Sequence, residues 1–173
     1  MATTAAGTPY VESSDLVANY PGVSLSLANH IDGLDGGKVL QVVAFATNTQ
    51  VISSTSTFVT TGLTATITPI SASNKVLVMV MQSGLRKEST DTFLELRLMR
   101  GATEIFMIET FAGYTATTTQ NVVAAGGANY LDAPATTSAV VYSTQFRSGA
   151  NTANVRVQQG SSGSTIVLME IAA

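Results

Sequence analysis

Few side chains in this sequence could carry out chemistry. His30 is the single histidine and there is no cysteine, so a Ser-His or Cys-His pair would depend on one imidazole. No G-x-S-x-G motif supplies a nucleophile to accompany it. We therefore expect His30 to be a hydrogen-bonded structural residue on a helix. The alternative is that three copies around an axis bind an anion or a metal.

The acidic residues do not form a recognisable site either. Asp32 and Asp35 lie in a Gly-rich stretch that has too few oxygen ligands for an EF-hand calcium loop, so we interpret the stretch as a helix end. Glycan cleavage needs two carboxylates at a defined separation. No spacing singles out such a pair among Glu95, Glu104, Glu109 and Asp132. The sequence predicts no catalytic residue, no metal site, no cofactor and hence no enzyme.

Binding residues are easier to nominate than catalytic ones. Arg86 and Lys87 begin the densest charged cluster, which we expect between two strands as a solvated loop or a receptor contact. The chain has no Trp and only 6% aromatic residues, so large aromatic platforms are not expected. Tyr114 and Tyr130 lie in the Gly- and Thr-rich stretch 112–137, which we predict to be one long connection. They are the candidates for a receptor or inter-subunit contact.

The composition points to burial against other chains. Only 11% of residues are charged, against about 25% in a typical soluble domain. Hydrophobic residues make up 45%, and the mean hydropathy is +0.29. The longest apolar runs, at Val76–Met81 and Val39–Ala46, are too short for a membrane-spanning helix. We therefore expect oligomer interfaces.

Charge and the N-terminal residues restrict partners and location. The net charge is −3, and the eight Lys and Arg residues are scattered, which argues against nucleic-acid binding. Met1–Pro9 has neither the basic nor the apolar region of a secretory signal, so we expect synthesis in the cytoplasm and no membrane insertion.

The chain divides near Gly36–Gly37 into residues 1–37 and 38–173. The first part is predicted to be an extended arm followed by a short α-helix beginning near Pro21. Apolar residues recur there at helical and heptad-like spacing, which favours packing around a threefold axis or docking. They are Leu16, Tyr20, Val23, Leu27, Ile31 and Leu34.

From Lys38 onward the sequence is rich in β-branched residues and divided by turn residues. Alternation is clear in residues 93–98, and Arg100–Thr103 is predicted to be a tight hairpin turn. We predict strands at Val39–Thr47, Val51–Thr61, Leu63–Ile70, Lys75–Ser83, Thr92–Arg100, Glu104–Phe111, Ala139–Arg147, Ala153–Gln159 and Thr165–Ala172. The expected fold is mainly β, an antiparallel β-sandwich or jelly roll of eight to nine strands.

Several segments, taken in order, resemble a module of tailed-bacteriophage structural proteins, often tail-fibre components. Each segment has low complexity, so the resemblance depends on their order along nearly the whole chain. They are Tyr10–Asp32, Thr61–Pro69, Ser73–Val80, Leu98–Gly101, Ala112–Tyr114, Tyr130–Pro134, Thr144–Phe146 and Thr165–Ala172. The resemblance implies a trimeric virion protein without catalytic residues.

These observations lead to three hypotheses. The first is a homotrimeric tail-fibre-type subunit on the virion surface, which docks on other virion proteins through its N-terminal arm and turns its β-sandwich head toward a host receptor. The second is a capsid decoration (cement) protein at threefold positions of the shell. The third is a soluble glycan-binding module unrelated to virions, which the high apolar content disfavours.

Overall fold

The computed structural model describes residues 2–3, 9–10, 24–27 and 38–173. Near the N-terminus, β1 (Ala2–Thr3) pairs antiparallel with β2 (Pro9–Tyr10), and residues 24–27 form one turn of helix. The remainder of the helix predicted between Pro21 and Leu34 lies outside the described residues. Residues Val39–Ile171 form a compact unit of their own, which consists almost entirely of strands and turns.

Two antiparallel sheets make up this unit, as expected for a β-sandwich. The four-stranded sheet has the order β5 (Val59–Ile67), β10 (Val140–Ser148), β7 (Thr92–Arg100) and β8 (Thr103–Thr115). The six-stranded sheet contains β3 (Val39–Thr47), β12 (Ser164–Ile171), β6 (Lys75–Lys87), β9 (Asn121–Asp132), β11 (Val155–Val157) and β4 (Val51–Ser53).

The pairing of the strands selects the jelly roll over other sandwiches. Four nested antiparallel pairs, β3–β12, β5–β10, β6–β9 and β7–β8, alternate between the two sheets. This nesting of the first strand with the last is the jelly-roll arrangement. The short strands β4 and β11 pair with each other and continue the six-stranded sheet beside the far end of β6.

Strand β7 follows directly from its sequence. Leu94, Leu96 and Leu98 are fully buried, whereas Phe93, Glu95 and Arg97 beside them are partly exposed, as a side-chain period of two requires. The predicted hairpin turn is confirmed between the end of β7 and the start of β8. Gly101 has a φ of 55° there, a conformation that a side chain would strain.

The prediction of a long connection at 112–137 is wrong, because it contains strand β9. Small residues in β9 concealed the strand, since they lack β-propensity. They are required by close packing: a Cβ at Gly126 would lie 2.9 Å from Cγ of Glu109, and one at Gly127 would lie 2.7 Å from the carbonyl oxygen of Val80. Pairing with β6 extends along nearly the whole of β9.

Two glycines that the sequence predicts to separate strands lie inside strands. Gly62, with a φ of 82°, lies within β5, where the pairing with β10 shifts register. Gly84, with a φ of 63°, lies within β6, and a Cβ there would overlap the backbone of Gln159. Strand β6 therefore continues to Lys87 instead of ending at Ser83.

The core consists of two apolar clusters between the sheets. One is centred on Ile67, Val78 and Tyr142, and the other on Leu85, Leu96 and Phe146. A row of polar residues, all fully buried, lies between the two clusters along the strands: Thr61 in β5, Thr144 in β10, Gln82 in β6 and Ser164 in β12.

Hydrogen bonds join these four residues from one sheet to the other. Thr144 Oγ1 donates to Gln82 Oε1 at 2.8 Å, and Gln82 Nε2 donates to Ser164 Oγ at 3.0 Å. Because the single hydroxyl proton of Thr144 is used in this way, Thr61 Oγ1 must donate to Thr144 Oγ1, 2.6 Å away. We call this series the polar bridge.

Replacing Thr144 with Val removes two hydrogen bonds of the polar bridge while keeping the shape of the side chain. It leaves Gln82 Oε1 buried without its donor, so we expect the free energy of unfolding to fall by about 1–3 kcal/mol. Urea denaturation would measure the change. The control Thr66→Val, on the exposed side of β5, should change it by no more than about 0.5 kcal/mol. Equal stability of the Thr144→Val protein and the wild type would contradict a stabilising role.

Candidate interaction surfaces

The outer side of the six-stranded sheet is apolar. Its outward-facing side chains come from β3, β6, β9 and β12, and Val42, Met81 and Leu131 are each half or more exposed. We call this surface the apolar face. Its members are Val42, Ala44, Leu77, Met79, Met81, Leu131, Val167, Met169 and Ile171.

Strand register makes the apolar face continuous. One row across four strands consists of Leu131, Leu77, Met169 and Val42, which are direct partners in the ladders. The next row consists of Asn129, Met79, Val167 and Ala44, so a single polar residue interrupts it. Side chains directly opposite one another on the same side of a sheet are in contact range. The rows therefore form one surface instead of isolated apolar positions.

The outer side of the four-stranded sheet is polar in contrast. Arg147 Nε lies 2.5 Å from Glu95 Oε2, and Arg97 forms a second ion pair, at 2.9 Å, with Glu104. The guanidinium groups of Arg97 and Arg147 also lie 3.8 and 4.6 Å from the centre of the Phe58 ring. These charged side chains are partnered within the chain, as is typical of a solvated face.

The outer side of the six-stranded sheet does not have the pattern of a sheet face in solvent, whereas the polar outer side of the four-stranded sheet does. An antiparallel sheet with one side in solvent normally alternates polar and apolar residues. Strand β6 does not alternate, because Val76 and Val78 fill the core while Leu77 and Met79 point outward. A contiguous apolar surface with few charges is typical of a protein interface. The apolar face is thus the candidate interaction surface.

Lys87 lies inside the fold, and this corrects the expectation of a surface contact. Its side chain is fully buried. The ammonium group donates to the backbone carbonyls of Ser89, Thr115 and Thr118 at 3.0, 2.9 and 2.6 Å. These three bonds replace water around the charge. Lys87 therefore holds the β8–β9 loop, and its charge is used within the chain.

Arg86 is also engaged by its own chain. It lies 3.2 Å from Glu88, which forms a second ion pair with Arg156 at 2.7 Å. The Nε atoms of Arg86 and Arg156 are buried and lack a hydrogen-bond acceptor among the described residues. Arg86 and Arg156 are direct partners in the β6–β11 pairing, so the shared glutamate balances two neighbouring positive charges.

The two candidate tyrosines lie in different environments. Tyr130, in β9, is half-buried against the core, and its ring centre is 5.6 Å from that of Phe106. Tyr114, near the end of β8, is 44% exposed, and its hydroxyl donates to Asp91 Oδ1 at 3.0 Å. Only Tyr114 therefore presents much of its ring to solvent. Its exposed neighbour Phe111 had no distinguishing pattern in the sequence.

The predicted docking residues are mostly not described. Leu16, Tyr20, Val23, Ile31 and Leu34, like His30, lie outside the described residues. Leu27 is half-exposed at the end of the helical turn at 24–27. The apolar stripe that contains them therefore stays a prediction from the sequence.

Buried ionisable groups in the sandwich are held by structural hydrogen bonds. Tyr142 OH donates to Asp132 Oδ2 at 2.6 Å, and Arg100 Nη1 lies 2.9 Å from Asp132 Oδ1. Burial and the bond to Asp132 raise the pKa of Tyr142 well above its ordinary value. The phenol is thus a permanent hydrogen-bond donor, and the three residues join β7, β9 and β10.

Glu170 is a buried carboxylate at the other edge of the core. Burial alone would raise its pKa, but bonds from Asn74 Nδ2 at 2.6 Å, Gln41 Nε2 at 2.5 Å and the backbone of Ile70 at 2.8 Å outweigh burial and lower it. No group of three acidic or histidine residues within the described residues could hold a metal ion. No helix in the described part of the chain is long and apolar enough to cross a membrane.

The lowered pKa of Glu170 predicts a pH dependence of stability. A carboxylate whose pKa is lower in the folded state stabilises the fold above its ordinary pKa, about 4.5, and loses this contribution as the pH falls through the folded value. Replacing Glu170 with Gln should lower the urea midpoint at pH 7. The difference in urea midpoint between this variant and the wild type should be smaller at pH 3, where the wild type has lost part of the contribution of Glu170. The control Glu104→Gln, at an exposed ion pair, should change the urea midpoint at pH 7 much less than Glu170→Gln does. The same difference in urea midpoint between variant and wild type at pH 7 and pH 3 would contradict a lowered pKa of Glu170.

Comparison with known proteins supplies no family for the chain. No protein-family model matches it. No curated protein matches it either. Its function therefore has to be inferred from the fold, the two unlike faces and the ionisable groups described above.

Proposed function

We propose that the chain is a non-enzymatic structural subunit of a tailed-bacteriophage virion. In this proposal it is a homotrimer of tail-fibre type, which docks on other virion proteins through its N-terminal arm and displays its β-sandwich head on the particle surface. The jelly roll supports the proposal, because this fold recurs in viral capsid proteins and lectins. Fold analogy alone does not identify a function, and the observation that carries the assembly is the apolar face.

The apolar face favours permanent association with other subunits. Met79 and Val167 are direct partners at its centre, and neither their row nor the adjacent row through Leu77 contains a charged residue. Burial of such a surface against neighbouring subunits around a symmetry axis is a usual driving force for a homo-oligomer. The polar face, with its ion pairs, then remains toward solvent. The number of subunits, three, comes from the resemblance and from the Val23–Leu34 stripe.

Disruption of the apolar face tests the assembly. Replacing Met79 and Val167 together with Asp would place two charges in a desolvated interface, so the trimer should dissociate to monomers. Sedimentation velocity would measure the mass, and circular dichroism would check that the β fold is retained. The control Thr66→Asp, on the polar side of the sandwich, should remain trimeric. A double variant that sediments like the wild type would exclude this face as the interface.

Localisation in purified particles tests the virion assignment separately. Cryo-electron microscopy should place the chain on the tail, and density spread over the capsid shell would instead favour a decoration protein.

Deletion of residues 1–19 should abolish incorporation into particles without changing the unfolding of the head. Normal incorporation of the shortened chain would contradict docking through the arm, and absence of the chain from particles would contradict a virion role.

A further inference from the structure

Three aromatic rings cluster at one end of the polar face. Phe93 and Phe111 are stacked with ring centres 4.2 Å apart, and Tyr114 stands roughly perpendicular to both, at 6.2 and 6.0 Å. Phe111 is 62% exposed and Tyr114 is 44% exposed. Phe93 covers one side of the Phe111 ring, and because 62% of Phe111 is nevertheless exposed, the other side is open to a ligand. We call these three residues the ring cluster.

The backbone around the ring cluster is arranged to hold it. Gly149 donates its backbone N–H to the carbonyl of Phe93 at 2.9 Å. A Cβ at Gly149 would overlap the Phe93 ring. The ring therefore lies directly over the glycine, in space that any side chain would occupy. The position of Phe93, and with it the stack, depends on a glycine in a neighbouring loop.

Hydrogen-bonding groups border the rings. Asp91 accepts from the hydroxyl of Tyr114 at 3.0 Å, and its backbone carbonyl accepts from Asn151 Nδ2 at 2.8 Å. The bond to Asp91 and its negative charge raise the pKa of Tyr114, so the phenol remains a donor. Asp91 and Asn151 have φ values of 51° and 59°, a region that short polar residues tolerate. The carboxylate has a second oxygen able to accept from a ligand.

We propose that the ring cluster binds a pyranose ring of a carbohydrate. The C–H groups on one face of a sugar carry partial positive charge and are attracted to the negative face of an aromatic ring, here the open side of Phe111. The sugar hydroxyls at the rim match Asp91 and Asn151. A protein partner fits less well, because a standard interface needs about 800 Å² from each side. The apolar area here ends at the Glu95–Arg147 ion pair of the polar face.

Ligand-observed saturation-transfer NMR on the full chain tests this site. The probes are the methyl glycosides of glucose, galactose, mannose and N-acetylglucosamine. At least one should receive saturation through the C–H groups of one face, and Phe111→Ala should weaken its binding about tenfold. Phe111→Tyr keeps an aromatic face and should retain binding. Tyr114→Phe, which removes only the hydroxyl, should weaken it less than Phe111→Ala.

The control variant is Phe45→Ala, which removes an exposed ring from the other sheet and should leave binding unchanged. No binding of any of the four glycosides, or equal binding by folded Phe111→Ala protein, would overturn the proposal. A change in sedimentation of the Phe111→Ala protein would show that the rings contact another copy of the chain, which also overturns it. The inference does not depend on the virion role, since a glycan site and the apolar face are tested by different variants.

Discussion

The polar bridge between the sheets constrains the rest of the sandwich. Burial of the two apolar clusters favours contact between the sheets, but hydrophobic attraction has no direction and accepts many alignments. The bond from Thr144 in one sheet to Gln82 in the other is directional, because it requires a donor and an acceptor about 3 Å apart. The bonds from Thr61 to Thr144 and from Gln82 to Ser164 hold these two side chains in place within their own sheets. Any other alignment would leave buried polar atoms without partners. The bridge therefore specifies which strands oppose one another.

The same constraint determines what the outer surface looks like. Gln82 points into the core, so alternate residues of β6 must point outward, and Met79 and Met81 consequently reach the surface. A slip of one residue would exchange the two sides of the strand. Because β6 is apolar on both sides, either choice would expose hydrophobic side chains. The exposed apolar face is thus a consequence of the sequence of β6, which is suited to a strand covered on both sides.

Local patterns allowed much of the fold to be predicted. The leucines of β7 and the turn at Gly101 are local features, with a period and a turn residue that neighbouring positions determine. Strand β9 could not be predicted from local patterns. Gly126 and Gly127 are needed there because atoms of Glu109 and Val80, which are distant in sequence, leave no space for a side chain. Likewise Gly84 breaks the pattern of β6 because the backbone at Gln159 approaches it. In each case a tertiary contact selected a residue that local propensity disfavours.

The sequence by itself determined the scarcity of reactive groups, with one histidine and no cysteine, together with the apolar excess and the β-rich class. It did not determine the interaction surfaces. The apolar face combines Val42, Met79, Leu131 and Val167 from four strands, and their adjacency arises from long-range antiparallel register. Burial of Lys87 likewise depends on the carbonyls of Thr115 and Thr118, which are 28 and 31 residues away in the sequence. Only the tertiary structure decided these features, because pairing between distant strands is set by packing and hydrogen bonding of the whole sandwich.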